Sequence, residues 1–215
     1  MGDGTHASGE ADTHLRIIHA ALEEFRRSGF KGSSTRVIAE RAGVNEVTLF
    51  RHFGSKLDLL RKAVDHGLME IRVQDDLAPY VALPLADGLR AFVRDYLTQF
   101  NSKSDVLMLG LSESFTHPEL AELIRAFMRR LRRNVQSYFE RLEDEGKMRH
   151  ADHIFMTHLF ISSLTSAAAW RRRASADSST EFSDERLIEG IVDILVSAYG
   201  RNPQPDRSAK TADRG

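Results

Sequence analysis

Apolar residues recur at steps of three and four through most of the chain, and a period of two is absent. Leu15, Ile18, Leu22 and Phe25 form the first stripe. Residues so spaced share one helical face, so an amphipathic helix is predicted there. Asp12 or Thr13 can cap its start, and Gly29 can end it with Phe30 folded back on the last turn. Val37, Ile38, Ala39 and Ala42 predict a short second helix, capped by Ser33 or Ser34 and stopped by Gly43. Asn45 can cap a third helix carrying Leu49 and Phe53, which Gly54 ends. A fourth is expected over 55–74, with Ser55 and Asp58 spaced as in a capping box.

Pro79 and Pro84 then break the period, so 75–84 reads as a linker. Stripes resume at Leu85, Leu89, Phe92, Tyr96 and Phe100, and again from Val106 to Phe115. Pro118 suits the first turn of a long helix marked by Leu120, Leu123, Phe127, Leu131, Val135, Tyr138 and Leu142 and ended by Gly146. Residues 151–172 and 184–199 predict two more helices, joined by a polar loop. Segments 1–11 and 201–215 lack apolar periodicity and are expected to be disordered tails. The fold class expected is all-α: a three-helix N-terminal unit over 12–60, a bridging fourth helix, and a larger helical unit over 75–200.

The 215 residues are 41% hydrophobic and 28% charged, an ordinary globular balance. The formal net charge is −1, which excludes a generally basic nucleic-acid coat but leaves a local basic face open. There is no cysteine, so disulfides, thiolate zinc sites and thiol redox chemistry are excluded. No apolar run reaches the roughly 20 residues of a membrane span, and the first ten residues do not resemble a signal peptide, so a cytoplasmic location is expected.

The informative segment is 33–53. Its second short helix has few apolar residues, Val44, Leu49 and Phe53, and two turns of helix are not stable alone. It must be held by its neighbours while its other face stays open, the geometry of a helix-turn-helix whose second helix enters a DNA major groove. Between Arg26 and Lys62 nine basic residues face three acidic ones, a surplus of six on a chain of net −1. Phosphate neutralisation would require such a face, although a solvated helical surface accounts for it equally well.

The residue order goes further. Gly29-Phe30, Ser34-Thr35-Arg36, Ile38-Ala39, Ala42-Gly43-Val44, Thr48-Leu49-Phe50, His52-Phe53, Ser55-Lys56 and Leu59-Leu60 together resemble the DNA-binding domain of the TetR family of bacterial transcriptional regulators, over roughly 12–65. The resemblance implies double-stranded operator DNA as partner and a DNA-facing set of Ser34, Thr35, Arg36, Asn45, Glu46, Val47, Thr48, Phe50, Arg51, His52 and Lys56. Arg36 matches a base-reading position whose planar fork suits guanine. Thr35, His52 and Lys56 match phosphate contacts, and Lys56 also lies in the first turn of the fourth helix. The family often has a small residue at Val47 and Tyr at Phe50; Val47 can offer an apolar contact to a thymine methyl, whereas Phe50 lacks the hydroxyl for a phosphate. Glu46 can accept from cytosine N4 or simply favour the helix dipole.

Two readings of the C-terminal part follow. Ser162, Ser166 and Ala169, with Leu187, Ile191, Ile194, Leu195 and Ala198, are expected to form a homodimer contact, which the resemblance implies is a four-helix bundle; burial within one chain is the alternative. Phe92, Tyr96, Phe100, Leu107, Met108, Leu111, Phe115, Phe127, Met128, Leu131, Phe155 and His158 could line a cavity for an apolar or aromatic effector, or be plain core. Tyr138 and Phe160 belong to the same set, with Thr157 and Glu113 as possible polar anchors. His150, His153 and His158 complete no metal-ligand spacing, and neither a metal nor a cofactor is expected. No phosphate loop, nucleophile elbow or carboxylate pair appears, so the expectation is a ligand-responsive regulator, usually a repressor, and not an enzyme. A small all-α enzyme and a regulator without ligand are the competing readings.

Overall fold

In the computed structural model, residues 4–71, 76–173 and 183–201 are described. They form α1 (Gly4–Gly32), α2 (Thr35–Arg41), α3 (Glu46–Phe53), α4 (Lys56–Met69), α5 (Ala78–Ala82), α6 (Leu85–Ser114), α7 (Pro118–Asp144), α8 (His153–Arg173) and α9 (Asp184–Tyr199). The only extended pairing among the described residues is an isolated bridge between Met148 and Gly200. The all-α expectation holds.

Helix α1 packs on α2, α4 and α6, and α3 is held between α2 and α4. Helix α6 runs through the larger unit and touches α4, α5, α7, α8 and α9. One continuous core joins both parts, from Ile17 and Phe25 through Leu49, Leu60 and Val64 to Phe92, Tyr138 and Leu164. The α4–α6 crossing is close: a Cβ on Gly67 would lie 2.6 Å from a Val106 methyl. At the centre of the larger unit, Phe92 stacks on Tyr138 at 3.9 Å between ring centroids and on Phe160 at 5.6 Å.

Several element boundaries differ from expectation. Helix α1 starts at Gly4, inside the segment read as a tail, and Thr13 donates back to the Gly9 carbonyl within it. Its buried stripe centres on Ile17, Ile18, Ala21 and Phe25, leaving Leu15 exposed. Helix α4 stops at Met69, and residues 72–74 of its expected range lie outside the described residues. The linker contains α5, because Pro79 sits in the first turn, where its missing N–H costs nothing, and Leu77, Tyr80 and Val81 are buried. Helix α6 is continuous where two stripes were read. The polar loop, apart from Ser183, and the tail beyond 201 lie outside the described residues.

Packing at Gly88 admits no side chain. A Cβ there would lie 2.3 Å from the Tyr80 carbonyl oxygen and 3.3 Å from the Tyr138 hydroxyl. Backbone cannot yield as a flexible side chain can, so Gly88→Ala is expected to cost about 1–3 kcal/mol. In thermal unfolding that is a fall of several degrees; an unchanged midpoint would show that α5 does not pack on α6 so closely.

Candidate nucleic-acid interface

The interface candidate is the α2–turn–α3 unit. Helix α2 buries Ile38 and Ala39 and ends where Gly43 turns the chain at φ 67°. Around that turn the Gly43 amide donates to the Glu40 carbonyl (3.1 Å) and the Val44 amide to the Ala39 carbonyl (3.0 Å). A residue with a Cβ would be strained at this φ, so glycine is dictated by the turn. Asn45 then caps α3: its side-chain oxygen accepts from the Thr48 amide at 2.8 Å. Leu49 and Phe53 are buried, while Val47, two positions from the Asn45 cap, is 78% exposed. His14 of α1 stacks on Phe53 at 4.5 Å. Burial first, then the charges of His52, Lys62 and His66, hold the His14 imidazole below its ordinary pKa, which favours the neutral ring beside Phe53.

The expected DNA-facing residues lie on α2, α3 and the residues that flank them, and none is buried. Ser34, Arg36, Asn45, Val47, Phe50 and Arg51 are exposed, and Thr35, Glu46, Thr48, His52 and Lys56 are half-buried. Several already have partners. Arg36 Nε donates to Glu40 Oε1 at 3.0 Å, an exposed pair that is easily surrendered. Thr35 Oγ1 donates to Glu46 Oε1 at 2.5 Å, so Glu46 links the starts of α2 and α3. Lys56 Nζ donates to the Ser33 carbonyl at 2.6 Å and lies 4.9 Å over the Phe30 ring, bracing the α1–α2 connection. Ser34 stands at the N-cap position of α2 without a side-chain cap bond. Among the described residues Lys31, Arg51 and Lys62 make no ion pair, so their charge remains available.

One supporting group was missed in the sequence. Glu24 of α1 is almost fully buried beneath α2. It accepts from Arg27 (2.7 Å) and Ser28 (3.0 Å) and lies 3.7 Å from Arg41 at the end of α2. Burial pushes its carboxyl upward, but the bonds from Ser28 and Arg27 and the charges of Arg27 and Arg41 outweigh burial and hold it below its usual range. Its place beside Phe25 in the buried stripe, with Arg27 and Ser28 three and four residues on, was the available signal.

The expected effector residues are placed differently. Phe92, Tyr96, Phe100, Leu107, Phe127 and Leu131 are buried in mutual contact, and Met108, Leu111 and Met128 are partly buried against the same core. Phe115 is 92% exposed, and Phe155 and His158 are also exposed, so in this conformation those three enclose nothing. A cavity of about 180 Å³ lies between α4 and α7, lined by Asp65, Leu68, Met69, Leu123, Ala126, Phe127 and Arg130. Only Phe127 among its lining residues was foreseen. Of the expected dimer residues, Ser162, Ser166, Ile194 and Ala198 are exposed and Ala169 and Ile191 partly so, whereas Leu187 and Leu195 are buried within their own chain. The last two belong to the face of α9 that packs on α6.

Comparison with known proteins agrees with this geometry. Residues 17–63 match the family described as bacterial regulatory proteins, tetR family, and residues 87–201 match the C-terminal domain of AefR-like transcriptional repressors. The transcriptional regulatory protein RaaS of Mycobacterium tuberculosis is 48% identical over 63 residues, a match that spans 29% of each chain. Among solved structures, a TetR-family regulator from Mesorhizobium loti superposes with a TM-score of 0.73 at 21% identity, over 89% of this chain and 98% of that one. Bacillus subtilis FadR in complex with stearoyl-CoA gives 0.66 at 16%, over 85% and 97%. At those identities the two structures speak to the fold alone.

Because Glu24 is ionised and bonded in the folded state, its stabilisation is complete above the ordinary carboxyl value of 4.5 and is lost as pH falls through the lower folded value. Glu24→Gln is expected to cost about 1–3 kcal/mol at neutral pH. Urea titrations of the two proteins should converge as the pH is lowered through that window; a gap that stays constant would mean the carboxylate charge has no part in holding α1 to α2.

Proposed function

Because the chain belongs to the TetR family of bacterial regulatory proteins, and is therefore a DNA-binding transcriptional regulator rather than an enzyme, we propose that it is an effector-released repressor. It acts as a homodimer whose two α3 helices enter successive major grooves of a pseudo-palindromic operator. The observation that carries this reading is α3 itself, two turns pinned by Leu49 and Phe53 with Val47, Phe50 and Arg51 turned outward. In this reading Val47 meets a thymine methyl, Thr48 and Arg51 reach base edges or the groove rim, and Arg36 forks onto a guanine. Thr35, His52 and Lys56 hold phosphates, Thr35 and Lys56 after leaving Glu46 and the Ser33 carbonyl. Asn45 and Glu46 position the helix start, and Ser34 lies at the rim.

Dimerisation is supported by the apolar side of α8, where Ile154, Phe155 and Leu159 are exposed beside Ser162 and Ser166, and by exposed Ile194 and Ala198 on α9. For the effector, the α4–α7 cavity is smaller than the roughly 300–1,000 Å³ of ligand sites, so binding there must part α4 from α7. Helix α4 follows α3 directly, so a ligand that favours the parted state shifts the position of α3 relative to the operator. The lining is apolar except for Asp65 and Arg130, which suits an apolar chain with an anionic end, consistent with the stearoyl-CoA bound by the B. subtilis relative. The Tyr138 and Thr157 hydroxyls are buried without partners among the described residues, so an effector reaching them would find two unmet polar groups.

Fluorescence anisotropy with the DNA upstream of the gene tests the reading. Affinity should fall linearly in log–log form with salt. Arg36→Ala and Thr48→Ala should each weaken specific binding by about 1–3 kcal/mol, and Lys56→Ala should lower the salt slope by about 1. Specific binding that survives both Arg36→Ala and Thr48→Ala unchanged would remove these residues from the interface.

A further inference from the structure

A second cluster, unrelated to the operator face, sits where α1 crosses α4. His19 of α1, His66 of α4 and Glu70, the residue that caps the end of α4, converge there, each offering one ligand atom within 4.8 Å of the other two. The imidazole centroids are 5.5 Å apart. His66 and Glu70 are one turn apart and project from the same face, the spacing at which paired helical side chains grip one metal ion. His66 Nε2 and Glu70 Oε1 are 3.6 Å apart. That exceeds an ordinary hydrogen bond and approaches the about 3.3 Å between two ligands on a tetrahedral zinc ion.

The surroundings fit such an ion. His66 Nε2 is shut off from solvent and has no hydrogen-bond partner among the described residues. A shielded ring nitrogen without a partner costs free energy that an ion would recover. Lys103 of α6 donates to the other oxygen of Glu70, Oε2, at 2.5 Å. It therefore orients the carboxylate so that Oε1 faces the histidines, the role usually taken by an outer partner of a metal ligand. His19 and Glu70 are exposed, so drawing the three atoms together takes only rotamer adjustment at the surface.

We propose that His19, His66 and Glu70 bind one divalent transition-metal ion of the zinc class, with a fourth position left to water. Two imidazoles and one carboxylate suit zinc, cobalt or nickel, whereas calcium and magnesium favour all-oxygen sets. The ion joins α1 to α4 and, through Lys103, to α6, fastening the recognition helices to the larger unit. The sequence concealed the site because His19 lies 47 positions before His66, and the more conspicuous histidines lie elsewhere: His150 and His153 both face Glu143, at 3.0 and 2.8 Å.

Cobalt(II) titration of the untagged full-length protein tests the proposal without reference to DNA. One equivalent per chain should produce the visible absorption of a four-coordinate site, zinc should displace it, and zinc should raise the unfolding temperature by mass action. His19→Ala and Glu70→Gln, at exposed positions where circular dichroism should show an unchanged fold, should each weaken binding at least about tenfold. The His150→Ala, His153→Ala double variant should bind as the parent does. No equimolar binding, undiminished affinity in both single variants, or loss of binding in the double variant would each overturn the assignment.

Discussion

Helix α3 cannot hold itself together, and the arrangement of the N-terminal unit follows from that constraint. Eight residues give it too few internal hydrogen bonds to offset the cost of nucleation. Its stability comes from burying Leu49 and Phe53, from the Asn45 cap and from the Gly43 and Gly54 turns that set its two ends. Each of those devices uses the inner face or the termini, and none uses Val47 or Arg51. Support from one side only is what allows the other side to be presented.

The supports of α3 are themselves fastened to the rest of the chain by charge. Arg26 pairs with Asp105 of α6 at 2.6 Å, Glu24 gathers Arg27 and Arg41, and Lys103 holds Glu70. With the close α4–α6 crossing at Gly67, these contacts give α1 and α4 fixed positions relative to α6. Interior packing is dense and yields poorly, so a displacement of α4 is transmitted to α3 rather than absorbed between them. The cavity beside Met69 and Phe127 and the histidine cluster at His66 are both built on α4. The proposed effector and the proposed metal ion would therefore act on the same element.

Much of this was readable from residue order, and the failures have physical causes. Short helices with strong punctuation were legible: Gly43, Asn45, Gly54 and Ser55 mark α2, α3 and α4 because each performs one local job. Helix α5 was hidden because proline opposes a helix interior but not its first turn. The candidate DNA-facing residues rest on the resemblance in residue order, and the spacing on α3 adds only which of its positions lie away from Leu49 and Phe53. Their present partners were not legible, because the Thr35–Glu46 and Lys56–Ser33 bonds depend on tertiary placement. The aromatic residues of α6–α8 could be recognised as apolar, but whether they enclose space or fill it depends on packing across four helices. Phe115 and Phe155 show the limit: a large apolar side chain at helical spacing faces solvent as readily as core when the register near a helix end is unknown.

The absence of cysteine from the chain permits a direct measurement of the central claim, that α3 offers its outer face to duplex DNA. A single thiol introduced as Val47→Cys, and another as Phe115→Cys, can each be labelled in the free protein and in the operator complex. The account expects both thiols to react freely without DNA, and the thiol at 47 alone to become protected when operator is bound at stoichiometric concentration. A thiol at 47 that labels equally fast with and without bound operator would contradict it.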